Sequence, residues 1–391
     1  MRRLGDLIQQ IRGVSYKPED LHDTLNDNSI MLLRANNIQD GQLQFDDVIY
    51  VDKSKIKPTQ YLKAGDILIC ASSGSKDLVG KAAYVSTDIH AVFGAFCKIV
   101  RPKAENNKYI GHFFDSPSYR RTISALAAGA NINNIRNEHI DELRIRIPSF
   151  EKQEEISTIL DRLKNIISLR KQQLVKLDEL VKARFVELFG SLNDNEKGLD
   201  IVSIEELCTL IKDGTHQTPT YTEDKQNGFK FLSSKDVMTQ KICWDDIKYI
   251  PAELHEKLYA TIQPQRNDIL MSKNGVNYGV AAVNDTDEIF DIYVSLALLR
   301  PRTDMVNPVY LRCVINNPDT KRQFDSSIKG IGVPNLHLGE IKKTKVLLPP
   351  IDKQNKFVAF VEQTDKSKLA IQKSLDELET LKKSLMQKYF G

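Results

Sequence analysis

Asparagine, serine, lysine and arginine, gathered in short glycine-containing loops, are the side chains in this sequence most suited to recognition chemistry. Arg34, Asn36 and Asn37 stand together. Ser72, Ser73, Ser75 and Lys76 follow in the stretch 71–76, and Asn131, Asn133 and Asn134 in the stretch 129–135. A second set comes later: Ser233, Ser234 and Lys235, then Lys273, Asn274, Asn277 and Tyr278, then Asn335. Such groups bond phosphate oxygens and base edges, asparagine with adenine, arginine or lysine with guanine, serine with either. The neighbouring glycines allow close backbone approach. Taken alone these loops read as surface turns; their weight comes from recurring in a two-copy frame in which the apolar residues agree and the loops differ.

Catalytic readings find less support. The seven histidines, among them His112, His216 and His255, fall at no repeated ligand spacing. There is no GxxxxGK[ST] phosphate loop. Neither Asn307-Pro308-Val309-Tyr310 nor Leu348-Pro349-Pro350-Ile351 fits the Asn/Asp-Pro-Pro-aromatic tetrapeptide expected of a DNA methyltransferase. Pro318-Asp319 with Glu340-Ile341-Lys342 is a loose nuclease-like set of the kind that holds Mg²⁺. It is absent from the other copy, which has Pro117-Ser118 and His139-Ile140-Asp141. The five cysteines, Cys70, Cys97, Cys208, Cys243 and Cys313, never form CxxC and read as buried thiols. A net charge of +3 neither requires nor excludes a nucleic-acid partner. No apolar run approaches the ~20 residues of a membrane span, and the start lacks a signal-peptide core, so a cytoplasmic protein is expected.

What must position the loops is a duplicated scaffold. Residues 151–189 read as one helix, roughly 58 Å long at ~1.5 Å per residue. Leu160, Ile167, Leu174, Val181 and Leu188 form one row seven apart, and Ile156, Leu163 and Leu177 another, interrupted by Arg170 and Arg184. That is a coiled-coil seam. Ile147-Pro148-Ser149-Phe150-Glu151-Lys152-Gln153 matches Leu348-Pro349-Pro350-Ile351-Asp352-Lys353-Gln354, and Leu188-Phe189-Gly190 matches Tyr389-Phe390-Gly391, each at an offset of 201 residues. The second helix, 352–390, keeps the row of Phe357, Thr364, Ile371, Leu378 and Leu385 and interrupts the other with Lys368 and Lys382. Complementary interruptions suit two helices packed on each other, antiparallel if the halves are related by a two-fold, with a charged flank left for partners. Each half also repeats short strands, such as Gly65-Asp66-Ile67-Leu68 and Asn267-Asp268-Ile269-Leu270, and a helix, around 109–126 and 310–328, with Pro117 or Pro318 inside. The expected class is α+β: two similar strand-rich domains in tandem (1–148 and 191–348, with a linker at 191–198), each followed by a long helix (149–190 and 349–391), the helices packing as an antiparallel coiled coil.

The whole chain resembles the specificity subunits of Type I restriction-modification systems. The resemblance rests on the tandem architecture, the helix starts at Pro148–Gln153 and Pro349–Gln354, the Gly65 and Asn267 strand starts, and the Gly129 and Gly330 loops. Two departures stand out: Ser149-Phe150 where the family usually has Pro-Leu, and Lys353 where it has an acidic residue. The resemblance implies two target recognition domains, each reading one half of a bipartite, asymmetric double-stranded DNA site, with the helices setting the unread spacer. It implies no cofactor and no catalysis in this chain. S-adenosylmethionine, ATP and Mg²⁺ would belong to partners: two modification (methyltransferase) subunits docked on the helices, and restriction subunits joining them. A fused restriction or modification enzyme and a coiled-coil scaffold carrying two ligand modules are the alternatives.

Overall fold

The structure, a computed structural model, describes residues 1–75, 77–103, 106–128, 134–328 and 334–391. It divides into two compact units, residues 1–172 with 371–391, and residues 173–370. Both long helices, Phe150–Phe189 and Ile351–Phe390, are continuous over 40 residues, so each contributes one part to each unit.

In the first unit an antiparallel sheet runs in the order Ile8–Arg12, Cys97–Pro102, Ile67–Cys70, Ala82–Tyr84. A second sheet sets Ala91–Phe93 parallel to Ser29–Leu33, which pairs antiparallel with Ile49–Asp52. The sheets meet because Gly13 lies against the Gly94 backbone, where a Cβ would come within 2.1 Å of the carbonyl oxygen. One apolar core joins Ile67, Ile69 and Tyr109 to Ile156 and Leu160 of the central helix and to Met386 and Phe390 of the C-terminal helix. Tyr109 and Phe390 pack with ring centroids 5.0 Å apart. Lys171 pairs with Glu379 at 3.0 Å, while Asp115 draws in Lys164 at 3.4 Å and Lys382 at 2.9 Å. Numbers rise on one helix as they fall on the other, so the two segments run antiparallel.

The second unit repeats this plan. Its sheet order is Cys208–Asp213, Leu296–Pro301, Ile269–Ser272, Ala281–Val283. Phe290–Ile292 lies parallel to Phe229–Leu232, and Gly214 meets the Ile292 carbonyl as Gly13 meets that of Gly94. Phe185 and Phe189 of the central helix pack on Phe357 with centroids 5.6 and 5.5 Å apart, around Tyr310. Lys368 pairs with Asp178, so here too the segments are antiparallel.

The helix starts explain themselves. Gln153 and Gln354 are buried, at 1% and 0% exposure. Each donates from Nε2 to the carbonyl of the proline five residues back, Pro148 at 3.1 Å and Pro349 at 2.8 Å. Each Oε1 accepts the N–H of the asparagine that caps a helix of the globule, Asn106 at 3.2 Å and Asn307 at 2.8 Å. One glutamine thereby fastens a spacer helix to the domain before it. A buried amide left without these partners would cost about 1–3 kcal/mol.

Several expectations change. The helices around 109–126 and 310–328 are each two: Asn107–Phe114 then Pro117–Ala128, and Pro308–Ile315 then Pro318–Ser327. Proline lacks the N–H an inner turn needs and suits a first turn instead. Cys70, Cys97 and Cys208 are buried and Cys313 partly so, but Cys243 is exposed. The lysines interrupting the second helix are not a free flank, since Lys368 and Lys382 turn to Asp178 and Asp115 within their own units.

Candidate nucleic-acid interface

In the first unit the strand Ile67–Cys70 ends in the loop that carries Ser72, Ser73 and Ser75. Three sets of backbone bonds hold it. Ser72 forms an antiparallel bridge with Asn134, the Ile135 N–H donates to the Ala71 carbonyl at 2.8 Å, and the Phe96 carbonyl accepts from both Ala71 and Ser72, at 2.8 and 3.0 Å. Loops far apart in sequence thus become one platform. Beside it, Arg34 donates from Nη2 to Asp47 Oδ1 at 3.1 Å, and Asn36 donates to Oδ2 of the same carboxylate at 2.6 Å. The Arg34 Nε is buried without a hydrogen-bond partner. Tyr16, Arg34, Asn36, Ser72, Ser73 and Phe96 help line a cleft of about 440 Å³.

Lys98 lies on the sheet that supports this platform, 5% exposed. Its Nζ donates to Asn137 Oδ1 at 2.8 Å and Gln10 Oε1 at 3.2 Å. Burial, with the Arg12 charge adding to it, lowers its pKa to about 8. Neutral oxygens give less support to an ammonium than a carboxylate does.

The second unit builds the same platform with other side chains. Asn274 bridges Asn335, the Leu336 N–H donates to the Lys273 carbonyl at 2.8 Å, and the Lys273 N–H donates to the Ser295 carbonyl at 2.8 Å. Asn274 Oδ1 is buried without a partner, while Asn277 and Asn335 are exposed. Lys235 donates to the Asp246 carbonyl at 2.7 Å and lies 3.4 Å from its carboxylate, much as Arg34 and Asn36 engage Asp47. Ser234 is half-buried, its N–H bonded to Ser295 Oγ at 3.0 Å.

Four of the residues singled out from sequence hold the scaffold instead of facing solvent. Asn37, 1% exposed, accepts the Arg34 N–H at 2.8 Å and donates to the Gln44 and Asp47 carbonyls, both at 2.9 Å. Ser233 spends its N–H and hydroxyl on Asp236, at 2.7 and 3.0 Å. Lys273, 5% exposed, bonds Asp213 at 2.7 Å, and His216 lies 3.3 Å from the same carboxylate. Burial pushes Asp213 up, but the bond and charge of Lys273 outweigh it and hold the carboxyl below its usual range. Tyr278, 8% exposed, gives its hydroxyl to Asp325 beneath the Lys321 ammonium, which sits 3.3 Å from the ring centroid. A polar residue in a loop can serve that loop's own backbone before any ligand. Arg34, Asn36, Ser72, Ser73, Ser75 and Asn134 in one unit, and Ser234, Lys235, Asn274, Asn277 and Asn335 in the other, remain candidate readers. Lys76, Asn131 and Asn133 lie outside the described residues.

Phe96, Tyr16 and Lys98 escaped sequence reasoning. A strand-turn aromatic and a strand lysine look like core and surface residues until the pairing register is known. The sequence signal that could have pointed to a close approach there is the pair Gly13 and Gly214, at the 201-residue offset, which sequence reasoning also missed.

Comparison with known proteins then decides the family. The pattern of the Type I restriction modification DNA specificity domain matches residues 1–179 and again 196–381. This chain belongs to that family. It is 30% identical to the Type I restriction enzyme EcoKI specificity subunit of Escherichia coli strain K12 over 402 residues, covering 97% of this chain and 86% of the relative. It is also 30% identical to the StySPI specificity subunit of Salmonella potsdam, with the same coverage. Its fold matches the S subunit of a Type I restriction-modification system from M. genitalium with a TM-score of 0.58, at 15% identity, over 100% of this chain and 95% of that one. The tandem α+β architecture is therefore that of S subunits.

Within this family fold, the repeated Asp-Ile-Leu strand starts have a structural role. Asp66 and Asp268, each 1% exposed, receive Arg101 and Arg300 in two-pronged ion pairs with all four N–O distances between 2.7 and 2.8 Å. Just before them, Gly65 and Asn267 adopt φ of 90° and 72°, a region glycine enters freely and asparagine tolerates. Each pair locks the strand whose far end launches the platform loop. The members of the nuclease-like set are each engaged by other partners: Asp319 accepts the Leu192 N–H at 2.8 Å and pairs with Arg322, Glu340 lies 3.7 Å from Lys343, and Lys342 lies 3.1 Å from Glu205. Among the described residues no three His, Cys, Asp or Glu side chains gather as a metal set. Among them also, no helix is long and apolar enough to cross a membrane.

Proposed function

We propose that this chain is the sequence-specific, non-catalytic DNA-recognition subunit of a Type I restriction-modification complex, acting in the cytoplasm. Each unit reads one half of a bipartite, asymmetric duplex site through its interlocked loops. The observation that carries this reading is the repetition of one backbone platform, Ser72 bridged to Asn134 and Asn274 bridged to Asn335, with different side chains on each copy. Equal scaffolds with unequal loops suit two readers of two different half-sites.

The long helices pack as an antiparallel coiled coil along their whole length and act as a ruler, since the DNA groove repeats every ~34 Å. Two modification subunits dock on them and supply S-adenosylmethionine and adenine methylation, and restriction subunits supply ATP- and Mg²⁺-dependent translocation and cleavage. The boundaries that matter for exchange are 1–148, 149–190, 191–348 and 349–391.

Grafting residues 1–148 into a related specificity subunit and sequencing the methylome of a host carrying its modification partner tests the reading. One half-site should transfer. Transfer of both or neither contradicts the two-reader arrangement, and DNA cleavage by this chain with Mg²⁺ alone contradicts the non-catalytic role.

A further inference from the structure

Phe96 is 69% exposed, yet its backbone is tied into the first unit's platform by hydrogen bonds. Its carbonyl accepts two N–H groups, from Ala71 and Ser72, and the Cys97 N–H closes the turn on Gly94 at 2.8 Å. A large apolar ring thus stands in water on a main chain held in place. Around it stand polar groups that suit base edges: Arg34, Asn36, Ser72 and Ser73. An apolar side chain among hydrogen-bonding readers is the chemistry that distinguishes thymine in the major groove, where the C5-methyl group is the one apolar feature of the base-pair edge. The second unit has Ser295 at the place of Phe96 in its matching turn, closed by the Leu296 N–H on Tyr293 at 2.9 Å, so the ring belongs to one reader and not to the scaffold.

We infer that Phe96 reads the C5-methyl group of one thymine in the half-site bound by the first unit. This rests on the recognition role proposed above and adds a residue and a base atom to it. The ring buries the methyl while Arg34 and Asn36 leave Asp47 for the neighbouring polar edges. Holding the turn's main chain in place before binding reduces the backbone ordering cost on binding.

The test uses the full chain assembled with its modification partner and a duplex bearing the site found by methylome sequencing. Each thymidine of both half-sites, on both strands, is replaced in turn by deoxyuridine, which lacks only the methyl. Wild-type affinity should fall about fourfold at one position of the first unit's half-site, the worth of one buried methyl. Phe96→Ala and Phe96→Ser should bind the unsubstituted duplex more weakly and lose nothing further at that position, while Phe96→Leu retains part of the sensitivity. Substitutions in the other half-site should affect all proteins equally. Identical deoxyuridine losses in wild type and Phe96→Ala at every position overturn the inference and leave the recognition role standing. Absence of any site preference in the wild-type complex overturns both.

Discussion

Removing Asp268 should unlatch the strand that carries the second platform. Its Oδ1 and Oδ2 accept Arg300 Nε and Nη2, each at 2.8 Å, and Oδ2 also accepts the Gln265 N–H at 2.8 Å. Asp268→Ala removes all three bonds from a site with 1% exposure. Breaking a fully buried pair costs about 3–5 kcal/mol. The Arg300 side chain is 26% exposed and regains some hydration, which places the expected loss near the lower end, about 3 kcal/mol. Trp244 is the sole tryptophan and packs on Phe290 with centroids 5.7 Å apart inside this unit, so its fluorescence reports the unit's unfolding. With a urea slope of about 2 kcal/mol/M, the midpoint should fall by about 1.5 M. Asp268→Asn, which keeps the shape and two acceptor lone pairs, should lose roughly half as much. A shift under about 0.5 M for Asp268→Ala, or coupling below ~0.5 kcal/mol in a cycle with Arg300→Ala, refutes the latch.

Three further outcomes are expected. Lys98, lowered to about 8 by burial and then by the Arg12 charge, binds fewer protons when folded than in the unfolded chain, where lysine titrates near ~10.4. Stability of the first unit should therefore rise between pH ~8 and ~10.4, by up to ~3 kcal/mol, and Lys98→Met should abolish that rise. Equal differences between wild type and variant at both ends of the window would count against it. Gly214→Ala drives a Cβ to 2.0 Å from the Ile292 carbonyl and should cost more than ~2 kcal/mol in the Trp244 transition; a cost under ~0.5 kcal/mol rejects the close approach. Asn37→Ala should lower first-unit stability by about 1–3 kcal/mol and keep the half-site, while Asn36→Ala should alter half-site discrimination and leave stability within ~0.5 kcal/mol. Chemical denaturation paired with binding to mismatched duplexes separates the two, and the reverse pattern would exchange their roles.

Periodicity and repetition are local properties, and they determined a great deal here. Heptad rows placed the long helices to within a residue of Phe150–Phe189 and Ile351–Phe390. The 201-residue offset exposed the tandem design. The seam itself ran wider than its rows, because Phe185 and Phe189 in one unit, and Met386 and Phe390 in the other, leave the heptad stripe to enter a globular core. What the sequence could not decide was which polar loop residues face outward. Asn36 and Asn37 are chemically identical neighbours, yet one is exposed and the other closes a turn onto Gln44 and Asp47. Lys235 and Lys273 divide the same way, one at the surface and one buried on Asp213. That choice depends on contacts between segments tens of residues apart, and on which unpaired backbone groups the fold leaves for a side chain to satisfy. Tertiary structure alone made Phe96 a candidate reader, because only strand pairing holds its backbone rigid while its ring stays in solvent.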